Sequence, residues 1–123
     1  MKLFVLTKSE TPLYIQLHDQ IVSQIVTGEI GENYCLPSIR FVARELMISV
    51  IPVKAAYELL EKEGYIYTQP GKGCFVASVS TRDKKQQLAY EKLRESVDYC
   101  KELGLDLEEI TQTVAECYNV KKQ

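Results

Sequence analysis

Between Ser38 and Ala77 the spacing of apolar side chains changes from a helical period to a strand period, and this change limits the fold more than any other feature of the chain. Ser38 can cap a short helix through about Leu46, with Phe41, Val42 and Leu46 on one face and Arg40 and Arg44 on the other. Ser49 then offers a second cap, after which Val53, Ala56, Tyr57 and Leu60 recur at helical spacing until Gly64 ends the run. Two helices joined by a turn of about three residues have helix-turn-helix spacing. Beyond Gly64, the β-forming runs Tyr65–Thr68 and Cys74–Ala77 flank Pro70-Gly71-Lys72-Gly73, a strong turn signal, so a β-hairpin is predicted. A hairpin directly after the second helix makes the unit a winged one.

Upstream, Thr11 as N-cap and Pro12 at the first helical position predict a helix from Thr11 to Thr27, with Tyr14, Leu17, Ile21 and Ile25 on one face and Gly28 as the stop. Residues 28–37 read as a loop and the polar residues 78–83 as a short linker. Ala89, Leu93, Val97 and Cys100 then trace one stripe along a helix that ends near Gly104. Asp106-Leu107-Glu108-Glu109 is a capping box that opens a last helix, with Leu105 and Ile110 placed as a hydrophobic staple and Ile110, Val114, Cys117 and Tyr118 as its stripe. Two helices cannot enclose a core, so these faces need either the winged domain or a second subunit. The expected fold is mainly α with a small β-hairpin: a winged helix-turn-helix domain over 1–78 and a two-helix dimerisation region over 79–123. The dimerisation surface is assigned to Ala89, Leu93, Val97, Cys100, Ile110, Val114 and Tyr118, and the partner is a second copy of the chain.

Composition removes several function classes. Apolar residues are 46% and charged residues 26% of the chain, the mix of a soluble globular protein. No run approaches the roughly 20 apolar residues of a membrane span, and Met1 to Glu10 lacks the apolar core of a signal peptide, so a cytoplasmic protein without a membrane partner is expected. Cys35, Cys74, Cys100 and Cys117 form no C-x-x-C pair, which argues for reduced, mostly buried thiols and against a zinc ribbon. With His18 the only histidine, and most simply a face residue on its helix, neither a metal site nor a nucleophile–base pair can be assembled. No enzyme, metal or cofactor is expected. The net charge of -2 and pI near 5.5 exclude DNA binding by bulk electrostatics. Residues 1–78 hold seven Lys/Arg against eight Asp/Glu, and residues 79–123 eight against nine, so any DNA contact must come from a few clustered cations.

From Pro12 to Ala77 the chain resembles the DNA-binding domain of the GntR family of bacterial transcription regulators. The resemblance is carried, in order, by Pro12-Leu13-Tyr14 with Gln16, Gly28-Glu29-Ile30, Leu36-Pro37-Ser38-Ile39-Arg40, Val53-Lys54-Ala55-Ala56-Tyr57, Glu61-Lys62-Glu63-Gly64-Tyr65-Ile66, and Pro70 to Val76. The short tail, with Gly104 to Glu109 between its two helices, is similar to the YtrA-like subfamily. The resemblance implies a regulator, a repressor above all, that binds double-stranded operator DNA as a homodimer. It implies DNA contacts at Arg40, at Ser49, Val50, Ile51 and Pro52, at Lys54, and at Gly71 with Lys72. A helix N-terminus offers N–H groups and a positive dipole end to phosphate, and a Gly-Lys-Gly tip brings backbone close to a groove, so the physical reading agrees. Many members carry arginine at the position of Val50, threonine at that of Pro52 and glycine at that of Met47. Without the arginine, the side chain best suited to bidentate reading of guanine is absent, and the family's operator sequence does not transfer. Pro52 has no N–H, so Ser49 cannot cap in the usual way. The rival reading keeps the fold but makes it a protein-interaction module, with the acidic balance as its support; an unidentified small-molecule effector beside the C-terminal helices is also compatible with the pattern.

Overall fold

A computed structural model describes residues 1–121 of the chain. The element order is α1 (Leu13–Val26), α2 (Ile39–Leu46), α3 (Val50–Glu63), β1 (Ile66–Gln69), β2 (Gly73–Val76), α4 (Val79–Glu102) and α5 (Leu107–Lys121). This is the expected fold class: mainly helical, with one antiparallel hairpin. The chain forms two compact units, Met1–Lys85 and the residues from Gln86 onward.

The core of the first unit is built where the three N-terminal helices and the hairpin meet. Leu17 and Ile21 of α1, Val42 and Ala43 of α2, and Val53, Ala56, Tyr57 and Leu60 of α3 are buried with Ile30, Leu36, Ile66 and Val76. Tyr14, expected on the same face of α1, lies at its margin and is exposed. The helix also starts one residue later than its cap signals suggest. Pro12, with ψ 146°, is itself the N-cap, and its carbonyl accepts from the N–H groups of Ile15 and Gln16, so Thr11 is left outside.

Residues 1–6 alternate in burial, with Met1, Leu3 and Val5 packed against the core and Lys2, Phe4 and Leu6 outward. Three glutamines of α1 hold them. Gln20 accepts from the Phe4 N–H at 3.0 Å and donates to the Phe4 carbonyl at 2.7 Å. Gln16 does the same for Leu6, at 2.8 and 3.1 Å, and Gln24 donates to the Lys2 carbonyl at 2.7 Å. The registers match because four residues of helix rise about 6 Å and two residues of extended chain about 6.6 Å. The side-chain amides thus satisfy the backbone as a neighbouring strand would.

Two further expectations are corrected. The loop 28–37 carries strand-like pairing: Asn33 N–H donates to the Val76 carbonyl, Val76 N–H to the Tyr34 carbonyl and Leu36 N–H to the Cys74 carbonyl, which covers the second edge of β2. Residues 79–83 are the start of α4, not a linker. Ser78 caps that helix through the Thr81 N–H, Arg82 stacks over the Tyr65 ring at 5.0 Å, and Lys85 donates to the Glu61 carbonyl. Gly64 makes this approach possible. Its φ is +89°, and a Cβ there would stand 3.0 Å from Cδ of Lys85 and 3.3 Å from Cα of Arg82.

In the second unit, the Leu105 N–H bonds back to the Cys100 carbonyl across Gly104 at φ +83°, which closes α4, and Asp106 Oδ1 caps α5 through the Glu109 N–H at 2.9 Å. The cysteines are free, but Cys35 and Cys117 are exposed and Cys74 and Cys100 only half-buried, against the expectation of mostly buried thiols. Cys35 lies on the outer strand-like edge and Cys117 on a helix with no buried residue among those described.

Candidate nucleic-acid interface

The turn between α2 and α3 is set by its caps. Ser38 Oγ accepts from the Phe41 N–H at 3.1 Å and starts α2. Met47 ends it in the left-handed region, φ 55° and ψ 46°, while the Ile48 N–H reaches back to the Ala43 carbonyl at 3.0 Å. This is a Schellman closure, the place for which glycine is best suited. Ser49 is the N-cap of α3, yet its side chain makes no capping bond, because Pro52 at the third helical position has no N–H to give. The first-turn N–H groups of Val50 and Ile51 are therefore left for another acceptor, at the positive end of the helix dipole.

α3 is fixed along its length. Near its middle, the Tyr57 hydroxyl donates to the Pro37 carbonyl at 2.6 Å, and burial pushes that hydroxyl's pKa well above its ordinary value. At its far end Glu63 Oε1 lies 2.5 Å from Nε2 of His18 on α1, while His18 Nδ1 lies 2.9 Å from Asp19 Oδ1. Burial alone lowers the imidazole's pKa, but the bonds and charges of the two carboxylates outweigh it and hold the net value above 6.5. His18 is thus more than a face residue: it clamps α1 to α3.

The wing is anchored at its base and open at its tip. Ile66 pairs with Val76 and Gln69 with Gly73, Tyr67 stacks on Phe75 with centroids 5.5 Å apart, and Thr68 Oγ1 donates to Glu61 of α3. At the tip the Lys72 N–H bonds to the Gln69 carbonyl across Pro70-Gly71, with Gly71 at φ +77°, the Pro-Gly order of a type II turn. Lys72 and Gly73 border a cavity of about 350 Å³ together with Pro37, Ser38 and Ile39, which places the wing tip beside the start of α2.

Arg40, Ser49, Val50, Ile51, Lys54, Gly71 and Lys72 are all exposed, and Pro52 is half-buried. They occupy three neighbouring features: the first turn of α2, the first turns of α3, and the wing tip. Among the described residues, Arg40, Arg44 and Lys72 have no carboxylate within ion-pair distance, whereas Lys54 Nζ lies 3.8 Å from Glu58 Oε1 one turn on. Glu58 shares the outer face of α3 with Ile51, Lys54 and Lys62, a neighbour that the four-residue spacing from Lys54 could have signalled. Met47, in the turn that precedes α3, is 89% exposed.

In the helical region, Leu93, Val97, Cys100, Ile110 and Val114 line one cavity of about 400 Å³ with Leu105. Ala89 and Tyr118 do not line it and are exposed. Among the described residues no helix is long and apolar enough to cross a membrane, and no group of three or more His, Cys, Asp or Glu is placed to hold a metal ion.

Residues 13–76, from the start of α1 to the end of β2, match the family model described as bacterial regulatory proteins, gntR family. The chain is 31% identical to the HTH-type transcriptional regulator YhcF of Bacillus subtilis, over 87% of this chain and 90% of that one. It is 28% identical to the HTH-type transcriptional repressor YtrA of Bacillus subtilis, over 89% of this chain and 86% of YtrA. Among solved structures it is similar to the AraR DNA-binding domain in complex with operator ORX1, with a TM-score of 0.56 and 27% identity over 63% of this chain and 99% of that one.

Proposed function

The chain belongs to the GntR family of bacterial regulatory proteins, and on that footing we propose that it is a sequence-specific DNA-binding transcription regulator that represses by occupying an inverted-repeat operator as a homodimer. Its YtrA-like character is carried by a likeness to that repressor which takes in 89% of this chain, more than the winged domain alone. The observation that carries the reading is the coincidence of the family match, 13–76, with an α1-to-β2 unit whose second helix of the pair presents an uncapped, exposed N-terminus. That a similar domain has been solved in complex with operator supports reading this unit as the DNA-binding one. In this reading residues 1–78 bind DNA and residues 79–123 dimerise. The first turns of α3 enter the major groove, Arg40 and Lys72 meet phosphates on either side, Gly71 lets the wing approach the backbone, and Lys54 reaches a base edge. The protein acts in the cytoplasm, and the helical region is where a small-molecule effector would be sensed.

The test is fluorescence anisotropy on an operator selected from random DNA. Arg40→Ala and Lys72→Ala should weaken binding to all sequences alike and make the salt dependence shallower by about one unit per lost contact in each subunit, roughly two per dimer. Lys54→Ala should instead relax preference at one position. Because the domain has no excess of positive charge, each loss should be conspicuous. Inserting about five base pairs between half-sites should abolish tight binding, since it rotates them to opposite sides of the duplex. Unchanged affinity and salt slope in all three variants would move DNA to another surface.

A further inference from the structure

The end of α3 that approaches base edges is aliphatic: Val50 and Ile51 in its first turn are 44% and 74% exposed, and Met47 in the preceding turn is 89% exposed. Exposed aliphatics clustered on a functional face call for an apolar partner. Residues 50–63 contain no Arg, Asn or Gln, the side chains that read guanine or adenine through paired hydrogen bonds. The polar side chains of the outer face are Lys54, Glu58 and Lys62; Lys62 stands in the last turn, at the other end of the helix, and Lys54 and Glu58 lie 3.8 Å apart, so the Lys54 ammonium is partly engaged within the helix. No acidic residue stands in the first turn to repel phosphate. The major groove presents one apolar group, the C5-methyl of thymine. We infer, resting on the DNA-binding reading above, that Val50 and Ile51 read thymine methyl groups, so that each operator half-site carries thymine opposite the first turn of α3.

The test keeps the full chain and changes one methyl at a time. An operator is selected from random DNA with the wild-type protein, and each thymine of a half-site is replaced in turn by deoxyuridine, which removes the C5-methyl and leaves the base-pairing edge intact. Losing one buried methyl contact should weaken binding about fourfold, and the symmetric replacement in both half-sites about 15-fold. One or two positions per half-site should respond. Ile51→Ala and Val50→Ala, at exposed positions, should bind the thymine and uracil operators equally at the position each side chain reads. A selected operator whose affinity for the wild type is unchanged by uracil at every position overturns the inference and leaves the DNA-binding reading intact. A uracil effect that persists undiminished in both variants also overturns it, by assigning the methyl to another residue. Failure to select any sequence overturns the DNA-binding reading, and the inference with it.

Discussion

Replacing His18 with glutamine removes the one titrating group that joins α1 to the far end of α3, and its effect should depend on pH in a defined direction. Both ring nitrogens face carboxylates, at 2.9 and 2.5 Å, and only the imidazolium can donate to both. The folded pKa is raised above 6.5, so the stabilisation is fully present below that value and is lost as pH rises through the folded pKa. Asp19 adjoins His18 in sequence and is 68% exposed, so that pair persists in part in the unfolded chain and contributes little. Glu63 is the tertiary partner, 40% exposed against 14% for His18. A charge-assisted bond contributes about 1.5 to 3 kcal/mol when sheltered and an exposed pair under about 1, which places this one near 1 kcal/mol. Urea unfolding followed by circular dichroism should show wild type more stable than His18→Gln by about 1 kcal/mol near pH 5.5, with the gap closing towards pH 8.5. An equal gap at both pH values would refute the clamp, as would an imidazole that titrates below 6.5 by NMR.

Met47→Gly should stabilise the domain by about 0.5 to 1 kcal/mol, since a left-handed non-glycine residue costs roughly 1 to 2 kcal/mol and the unfolded-state entropy of glycine returns part of it; the side chain is too exposed to lose packing, and a midpoint lower than wild type in thermal unfolding would contradict this. Gln20→Ala removes both bonds to Phe4 and should cost about 1 to 2 kcal/mol, with hydrogen exchange speeding up at the Phe4 amide; unchanged protection there would mean that the segment is held by packing alone. Leu93→Asp with Val114→Asp should give monomers or an insoluble chain, because unpaired charges are costly in an apolar interface; a wild-type monomer at micromolar concentration in sedimentation would dispose of the proposed homodimer.

Features encoded by local chemistry were legible in the sequence, and those that require a distant partner were not. The start of α2 follows from the Ser38 cap and the end of α3 from Gly64, each acting on residues within one helical turn, while Ser49 marks the start of α3 by its extended backbone without a side-chain cap; the structure has these helices at Ile39–Leu46 and Val50–Glu63. Residues 78–83 look like a linker because they have no apolar period. They are helical because Ser78 supplies a cap and because Arg82 and Lys85 reach Tyr65 and Glu61, about twenty positions back along the chain, which periodicity does not register. The glutamine ladder was half visible: Met1, Leu3 and Val5 alternate with period two, and Gln16, Gln20 and Gln24 recur every four residues. Only docking shows that the two periods have a common length.

α3 carries the same lesson into the site. Periodicity identifies an apolar face and assigns it to the core, which is right for Val53, Ala56, Tyr57 and Leu60. Val50 and Ile51 are equally apolar but belong to no buried stripe, and a helix with a second patch of this kind holds two messages in one alphabet. Burial separates them. An isoleucine that is 74% exposed contributes little to the core, so under the DNA-binding reading its place at the uncapped end of α3 suits an apolar group approaching from outside, and α3 carries no Arg, Asn or Gln for paired hydrogen bonds to a base. Thus Val50, which stands where the resemblance would place an arginine suited to guanine, adjoins Ile51, the exposed aliphatic on which the thymine-methyl inference chiefly rests.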